Sequence, residues 1–210
     1  MTYEKNPATA TRGPVQTSGV AMGPRGALTG EVETRPTRST RLTLKQQALD
    51  LLERGWSIIP VRGKKAAIEW RQFQERRMSE AELIASFGAG GVTGMAVVLG
   101  KVSGDLYCRD FDFLEAYERW ERSHPEFSRQ LPTVRTRRGM HVYFKDRVGR
   151  KSRRYEDGEL RGNGCYSVIP PSEHPEGCRY EWVHHLPPLG AVPEIDTELV
   201  DCNIEIGTML

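Results

Sequence analysis

The sequence predicts an α+β domain, and three observations carry that prediction. Two capping boxes, Thr43-Leu44-Lys45-Gln46 and Ser79-Glu80-Ala81-Glu82, each head a short amphipathic stretch. Beyond residue 94, short apolar runs with period-two alternation outnumber helical stretches. Hydrophobic residues make up 38% of the 210, enough for one sizeable core and against disorder throughout. The order is helix, strand, helix and then mostly strands, which puts helices against a mixed or antiparallel sheet.

Residues 1–41 stand apart, with five glycines, four prolines, eight threonines and no apolar periodicity. Six basic residues against three acidic ones make this a mildly basic, disordered tail. The ordered domain is expected over residues 42–195. Thr43 caps a helix whose stripe is Leu44, Ala48, Leu51 and Leu52, and Gly55 stops it. Residues 56–61 read as a buried strand, followed by the basic loop Arg62-Gly63-Lys64-Lys65. Ser79 caps a second helix that ends at Gly88.

Residues 94–100 and 105–113 read as strands. Leu114, Tyr117 and Trp120 suit one face of a helix that reaches Ser123 and is broken by Pro125. Residues 133–136 and 140–145 are strands around Arg137-Arg138-Gly139. Residues 159–161 and 165–169 flank Gly162-Asn163-Gly164, whose chemistry predicts a β-hairpin. Residues 179–183 form a last strand, and residues 196–210 are expected to be a C-terminal tail.

Composition excludes several classes. Thirty basic against 28 acidic residues give a net charge of +2, which excludes a histone-like positive coat but not a local basic groove. No apolar run approaches the roughly 20 residues of a membrane span, and the N-terminus lacks a signal-peptide pattern. A cytoplasmic location, with no membrane partner, is expected. The four cysteines form no C-x-x-C pair, which favours idle or buried thiols over zinc or a disulfide framework.

Three segments hold residue types suited to chemistry. In Cys108-Arg109-Asp110-Phe111-Asp112-Phe113, strand alternation puts Asp110 and Asp112 on one face, roughly 7 Å apart, and the two phenylalanines on the core face. Adjacent carboxylates repel unless a cation joins them, and hard oxygens suit Mg²⁺ or Mn²⁺. Such a pair also occurs on ordinary solvated sheet faces. In residues 136–144, His141 shares a face with Tyr143, just after Arg135, Arg137 and Arg138. Those groups suit a triphosphate; a structural histidine on a basic hairpin is the alternative. The third segment runs from Glu159 to Pro170-Pro171-Ser172. Glu159 could add a third carboxylate from a neighbouring strand, or be an ordinary solvated residue.

Taken in order, these segments resemble the N-terminal domain of the bifunctional DNA primase/polymerases, the prim-pol group of the archaeo-eukaryotic primase superfamily. The resemblance begins with residues 48–61, Gly63-Lys64-Lys65 and Trp70, and continues through residues 94–100. It includes Asp110 and Asp112, the Thr-x-x-Gly-x-His-x-Tyr-Phe pattern at residues 136–144, the acid-x-Arg-Gly…Pro-Pro-Ser pattern at residues 159–172, and Tyr180-Glu181-Trp182. It implies a catalytic domain with an RRM-like mixed sheet beside a small α/β unit. It implies that Asp110, Asp112 and Glu159 bind two divalent metal ions, Mg²⁺ or Mn²⁺. His141 would hold the nucleotide, with Arg138 and Arg161 on its phosphates. The implied activity is template-directed nucleotidyl transfer in DNA replication, as a DNA polymerase and primase.

The implied partners are single-stranded or primed DNA, deoxy- or ribonucleoside triphosphates, and a helicase acting in trans. Glu159 stands where many family members have Asp, and Ala66-Ala67 replaces a usual proline. Two rivals remain at this stage. One is a binding module for single-stranded DNA or nucleotides, with Trp70, Tyr143 and Tyr166 as stacking surfaces. The other is a metal-dependent nuclease using the same acids.

Overall fold

The computed structural model describes residues 42–146 and 148–200; the tail expected at residues 1–41, and residues 201–210 of the one expected at residues 196–210, lie outside them. In chain order, the elements are α1 (Leu44–Glu53), β1 (Ile58–Arg62), β2 (Lys65–Ala66), α2 (Glu80–Gly88), β3 (Gly94–Val98), β4 (Leu106–Phe111), α3 (Leu114–Ser123) and α4 (Pro125–Gln130). There follow β5 (Thr133–Arg135), β6 (Met140–Lys145), β7 (Arg153–Tyr155), β8 (Gly158–Arg161), β9 (Tyr166–Ile169) and β10 (Glu181–His184). Both capping boxes form, with Thr43 and Gln46, and Ser79 and Glu82, satisfying each other's backbone N–H groups. Gly55, at φ +101°, turns the chain out of α1. Among the described residues, no helix is long and apolar enough to cross a membrane.

The strands form two sheets, in the orders β2-β1-β3-β9 and β10-β5-β6-β4-β8-β7. Every ladder between these strands is antiparallel. The fold is therefore α+β as expected, and of the two sheet types considered it is the antiparallel one. Strand β4 lies inside the larger sheet, and all six of its residues are buried. Tyr107 and Phe111 point outward with Met140, Val142, Phe144 and Leu160, under Tyr117 and Trp120 of α3. Leu106 and Cys108 point inward with Tyr143, into the core that also holds Ala48, Leu83 and the smaller sheet. At the C-terminal end, Thr197–Val200 forms a 3-10 turn; Val200 is buried and Leu199 O accepts a hydrogen bond from Trp120 Nε1.

Several expectations change in the structure. The hairpin between residues 159–161 and 165–169 does not form: β8 pairs with β4 and β7, while β9 joins the other sheet beside β3. Gly162-Asn163-Gly164 is a turn, but it carries the chain between sheets. Long-range contacts decide this. Asn163 Oδ1 accepts from Lys101 N, Leu99 N donates to Cys165 O, and Gly162 lies so close on the Tyr107 ring that a Cβ there would collide. Phe113 is 48% exposed, not core, because β4 ends at Phe111 and Phe113 caps α3. Pro125 does end α3, but it also opens α4 at a position where its missing N–H costs nothing. The basic loop after β1 is a tight turn of a hairpin, with Gly63 at φ +60° and Lys64 at its tip. Strand β7 carries no apolar alternation, since Arg153 and Arg154 are both exposed.

Gly158 shows how closely β4 is held. It faces Phe111 across the ladder at φ +144°, and a Cβ would sit on the Asp110 carbonyl oxygen. The same oxygen accepts a hydrogen bond of 2.7 Å from Arg109 Nη1. Gly158→Ala should therefore cost about 1–3 kcal/mol of stability in urea unfolding. Gly90→Ala, whose Cβ meets nothing within 4 Å, should stay within about 0.5 kcal/mol. Equal effects from the two would contradict this packing.

Candidate active site

The inner face of β4 changes character along its length, from Leu106 and Cys108 to Asp110. Asp110 pairs with His141 on β6 to one side and with Glu159 on β8 to the other. Directly opposed residues share a sheet face, so one row across three strands carries an imidazole and two carboxylates. Arg161, two residues beyond Glu159, falls on the same face. Its Nη2 donates to Asp110 Oδ2 at 2.6 Å and lies 2.5 Å from Glu159 Oε1, while its Nε donates to Glu159 Oε1 at 2.6 Å. Neighbouring carboxylates repel one another, and here the guanidinium supplies the opposing charge. Burial works against the Arg161 charge, but Asp110 and then Glu159 hold its pKa above the ordinary arginine value.

His141 is buried, with Nε2 3.4 Å from Asp110 Oδ1. Its Nδ1 lies 3.1 Å from Ser167 Oγ and 3.3 Å from Tyr143 Oη, and those two oxygens are 2.8 Å apart. Ser167 belongs to β9, so this cluster joins the two sheets at the site. Burial pulls the His141 pKa down against the charge of Asp110, which keeps the ring neutral at pH 7. The buried Cys108 thiol is pushed up to about 12 by burial and then by Asp110. It is protonated and inert, as expected for an idle thiol.

A cleft of about 440 Å³ opens over this row. It brings together Asp110, Asp112, His141, Arg138 and Arg161. Glu159 does not line it and is paired with the Arg161 guanidinium. Asp112 is exposed at the end of β4 and makes no ion pair among the described residues. Among the lining residues not singled out from sequence as site residues are Lys64 at the β1–β2 turn, His174, Glu176 and Tyr180. Lys64 was visible as part of a basic loop and of the resemblance, with no site role given to it, and no local pattern marks His174. Arg109 was also missed. It is 1% exposed, paired with Asp157, and stacked over the Phe111 and Tyr155 rings on the outer face.

Tyr143 is fully buried and offers no stacking surface to a base. Trp70 and Tyr166 pack edge-on against each other with ring centroids 4.9 Å apart. A second groove of about 700 Å³ lies between α1 and β10. Its arginines are already paired, Arg54 with Asp50 and Arg179 with Glu173, so it offers an anion little.

The carboxylates form an all-oxygen donor set that fits a hard divalent cation. In the present arrangement, no three acidic, histidine or cysteine side chains among the described residues surround one point as ion ligands, and Arg161 fills the space between Asp110 and Glu159. An ion binding there would replace the guanidinium. Arg161→Gln should accordingly lower stability by about 1–3 kcal/mol without divalent ions. Added Mn²⁺ should raise the melting temperature of the variant more than that of wild type. An equal rise in both proteins would contradict the shared cation position.

A sequence profile of the family described as bifunctional DNA primase/polymerase, N-terminal, matches residues 48–195. The match takes in every strand and all six residues singled out from sequence. No curated protein sequence matches the chain significantly.

Proposed function

The chain belongs to the bifunctional DNA primase/polymerase N-terminal family, and from that premise we propose that it is a template-directed nucleotidyltransferase, a DNA polymerase with primase activity. The row centred on Asp110 at the floor of the cleft is the observation that supports this most. A 3′-hydroxyl attacks the α-phosphorus of a bound nucleoside triphosphate, and pyrophosphate leaves. Asp110, Asp112 and Glu159 would hold the divalent ions, with Arg161 moved off the carboxylates. When bound, such ions lower the pKa of the hydroxyl and offset the charge of the triphosphate.

The remaining work is positioning. His141 is fixed by Ser167 and Tyr143 and stays neutral, so it offers the nucleotide a polar contact without adding charge. Arg138 and Arg161 suit phosphate oxygens through bidentate hydrogen bonds. A module that only bound DNA would be poorly served by Asp110 and Asp112 in its cleft, because carboxylates repel a phosphate backbone. A nuclease could use the same acids, but cationic groups around the same cleft favour a triphosphate substrate.

Primer extension tests this reading. A labelled primer on a single-stranded template, with dNTPs and Mg²⁺ or Mn²⁺, should be extended, and EDTA should stop it. The Asp110→Ala/Asp112→Ala protein should lose roughly 10²-fold or more of the rate with its melting transition intact. Retained extension would refute the site, and no extension by wild type with either metal would favour the binding module. His141→Ala should raise the nucleotide KM more than the Kd for primed DNA. Equal effects on both would remove the nucleotide role of His141.

A further inference from the structure

Arg109 is charged, buried and on the wrong face of the sheet to meet a substrate. Its neighbours in β4 alternate with it, so Asp110 faces the cleft and Arg109 faces the outer core under α3. The guanidinium lies flat among aromatic rings, its central carbon 4.2 Å from the Phe111 ring centre and 4.6 Å from that of Tyr155. Nη2 donates to Asp157 Oδ1, and Nη1 donates to Asp110 O at 2.7 Å. Nε is buried and has no hydrogen-bond partner among the described residues. For stability alone this is a poor arrangement. A buried ion pair with an unmet N–H is commonly matched or bettered by apolar side chains of similar volume.

What the guanidinium does supply is a fixed backbone behind both carboxylates of the cleft. Asp110 is tied directly, through its carbonyl. Asp112 lies past the end of β4, beyond the last paired residue of both neighbouring ladders. Its N–H donates to Asp157 O at 2.9 Å. Asp157 sits in the two-residue turn between β7 and β8, and its carboxylate is the one that Arg109 holds. On the other side, Gly139 lies so close that a Cβ there would collide with the Phe111 carbonyl and the Asp112 backbone. Asp112 is therefore clamped between two turns, and Arg109 anchors one of them.

We propose that Arg109 is a positioning residue: with Asp157 it sets, from the outer face, the spacing of Asp110 and Asp112 and so their affinity for divalent ions. The assignment rests on the reading of those two carboxylates as ion ligands. Groups that orient ligands from behind act on affinity as well as on stability, because a misplaced ligand must be brought back into position each time an ion binds. Arg109 touches neither substrate nor ion. Its effect passes through the Asp110 carbonyl and the Asp157 turn.

Mn²⁺ titration of the full chain, followed by electron paramagnetic resonance beside a thermal melt, tests this. The proteins are wild type, Arg109→Lys, the double variant Arg109→Met/Asp157→Asn, and Leu83→Ala. The double variant removes both charges together, so no unpaired charge stays buried, and it should keep a cooperative melting transition. Its Mn²⁺ affinity should nevertheless fall about tenfold or more. Arg109→Lys keeps the charge but loses the planar fork, and its affinity should fall between wild type and the double variant. Leu83 is buried in the other core, so Leu83→Ala should melt earlier while its Mn²⁺ affinity stays within about twofold of wild type. Wild-type affinity in the double variant would overturn the assignment. An equal loss in Leu83→Ala would also overturn it, since any loosening of the fold would then suffice. Should the double variant not fold, wild-type affinity in Arg109→Lys overturns the assignment and weakened affinity supports it. Wild type that binds no Mn²⁺ would instead refute the reading of Asp110 and Asp112 as ion ligands.

Discussion

Two carboxylates on neighbouring strands repel each other unless a cation joins them, and the centre of this structure is arranged around that constraint. Asp110 faces Glu159 across the β4–β8 ladder, with Arg161 between them. Antiparallel register brings the two acids together, and the two-residue period of β8 returns Arg161 to the same face. The surrounding packing holds that register. Gly158 lets β8 approach the Asp110 carbonyl, Arg109 donates to that carbonyl from the outer face, and β4 is buried on both sides. A shift of one residue would turn Asp110 into the outer core and Phe111 into the cleft.

The same geometry gives the cleft its polarity. Its floor is acidic and cation-dependent, while its walls offer Lys64, Arg138 and two histidines kept neutral by burial. The two sheets meet there through Ser167, Tyr143 and His141. Neither sheet alone builds the site. Lys64 and Ser167 come from the smaller one, and Asp110, His141 and Arg161 from the larger.

Much of this was legible in the sequence where local chemistry decides the outcome. The capping residues Thr43 and Ser79 form the expected boxes, and Met140, Val142 and Phe144 alternate with His141 and Tyr143 as written. Asp110, Asp112, His141, Arg138 and Arg161 do converge on one cleft. Tertiary pairing was not legible. Gly162-Asn163-Gly164 has hairpin chemistry, yet Asn163 and Leu99 draw the following strand into the other sheet. Phe113 follows strand alternation on paper but lies past the end of β4. Lys64 and His174 reach the cleft from turns distant in sequence, which no periodicity records. Arg161 is visible as a basic residue, but its place between two acids appears only once β8 lies beside β4.

The most direct test is Mn²⁺ binding to the full chain, followed by electron paramagnetic resonance with and without a deoxynucleoside triphosphate. Saturable binding that tightens when nucleotide is added, and that disappears in Asp110→Asn, is the predicted result. Wild type that binds no Mn²⁺ in either condition, or Asp110→Asn that binds it as well as wild type, would contradict a nucleotidyl-transfer site built on Asp110.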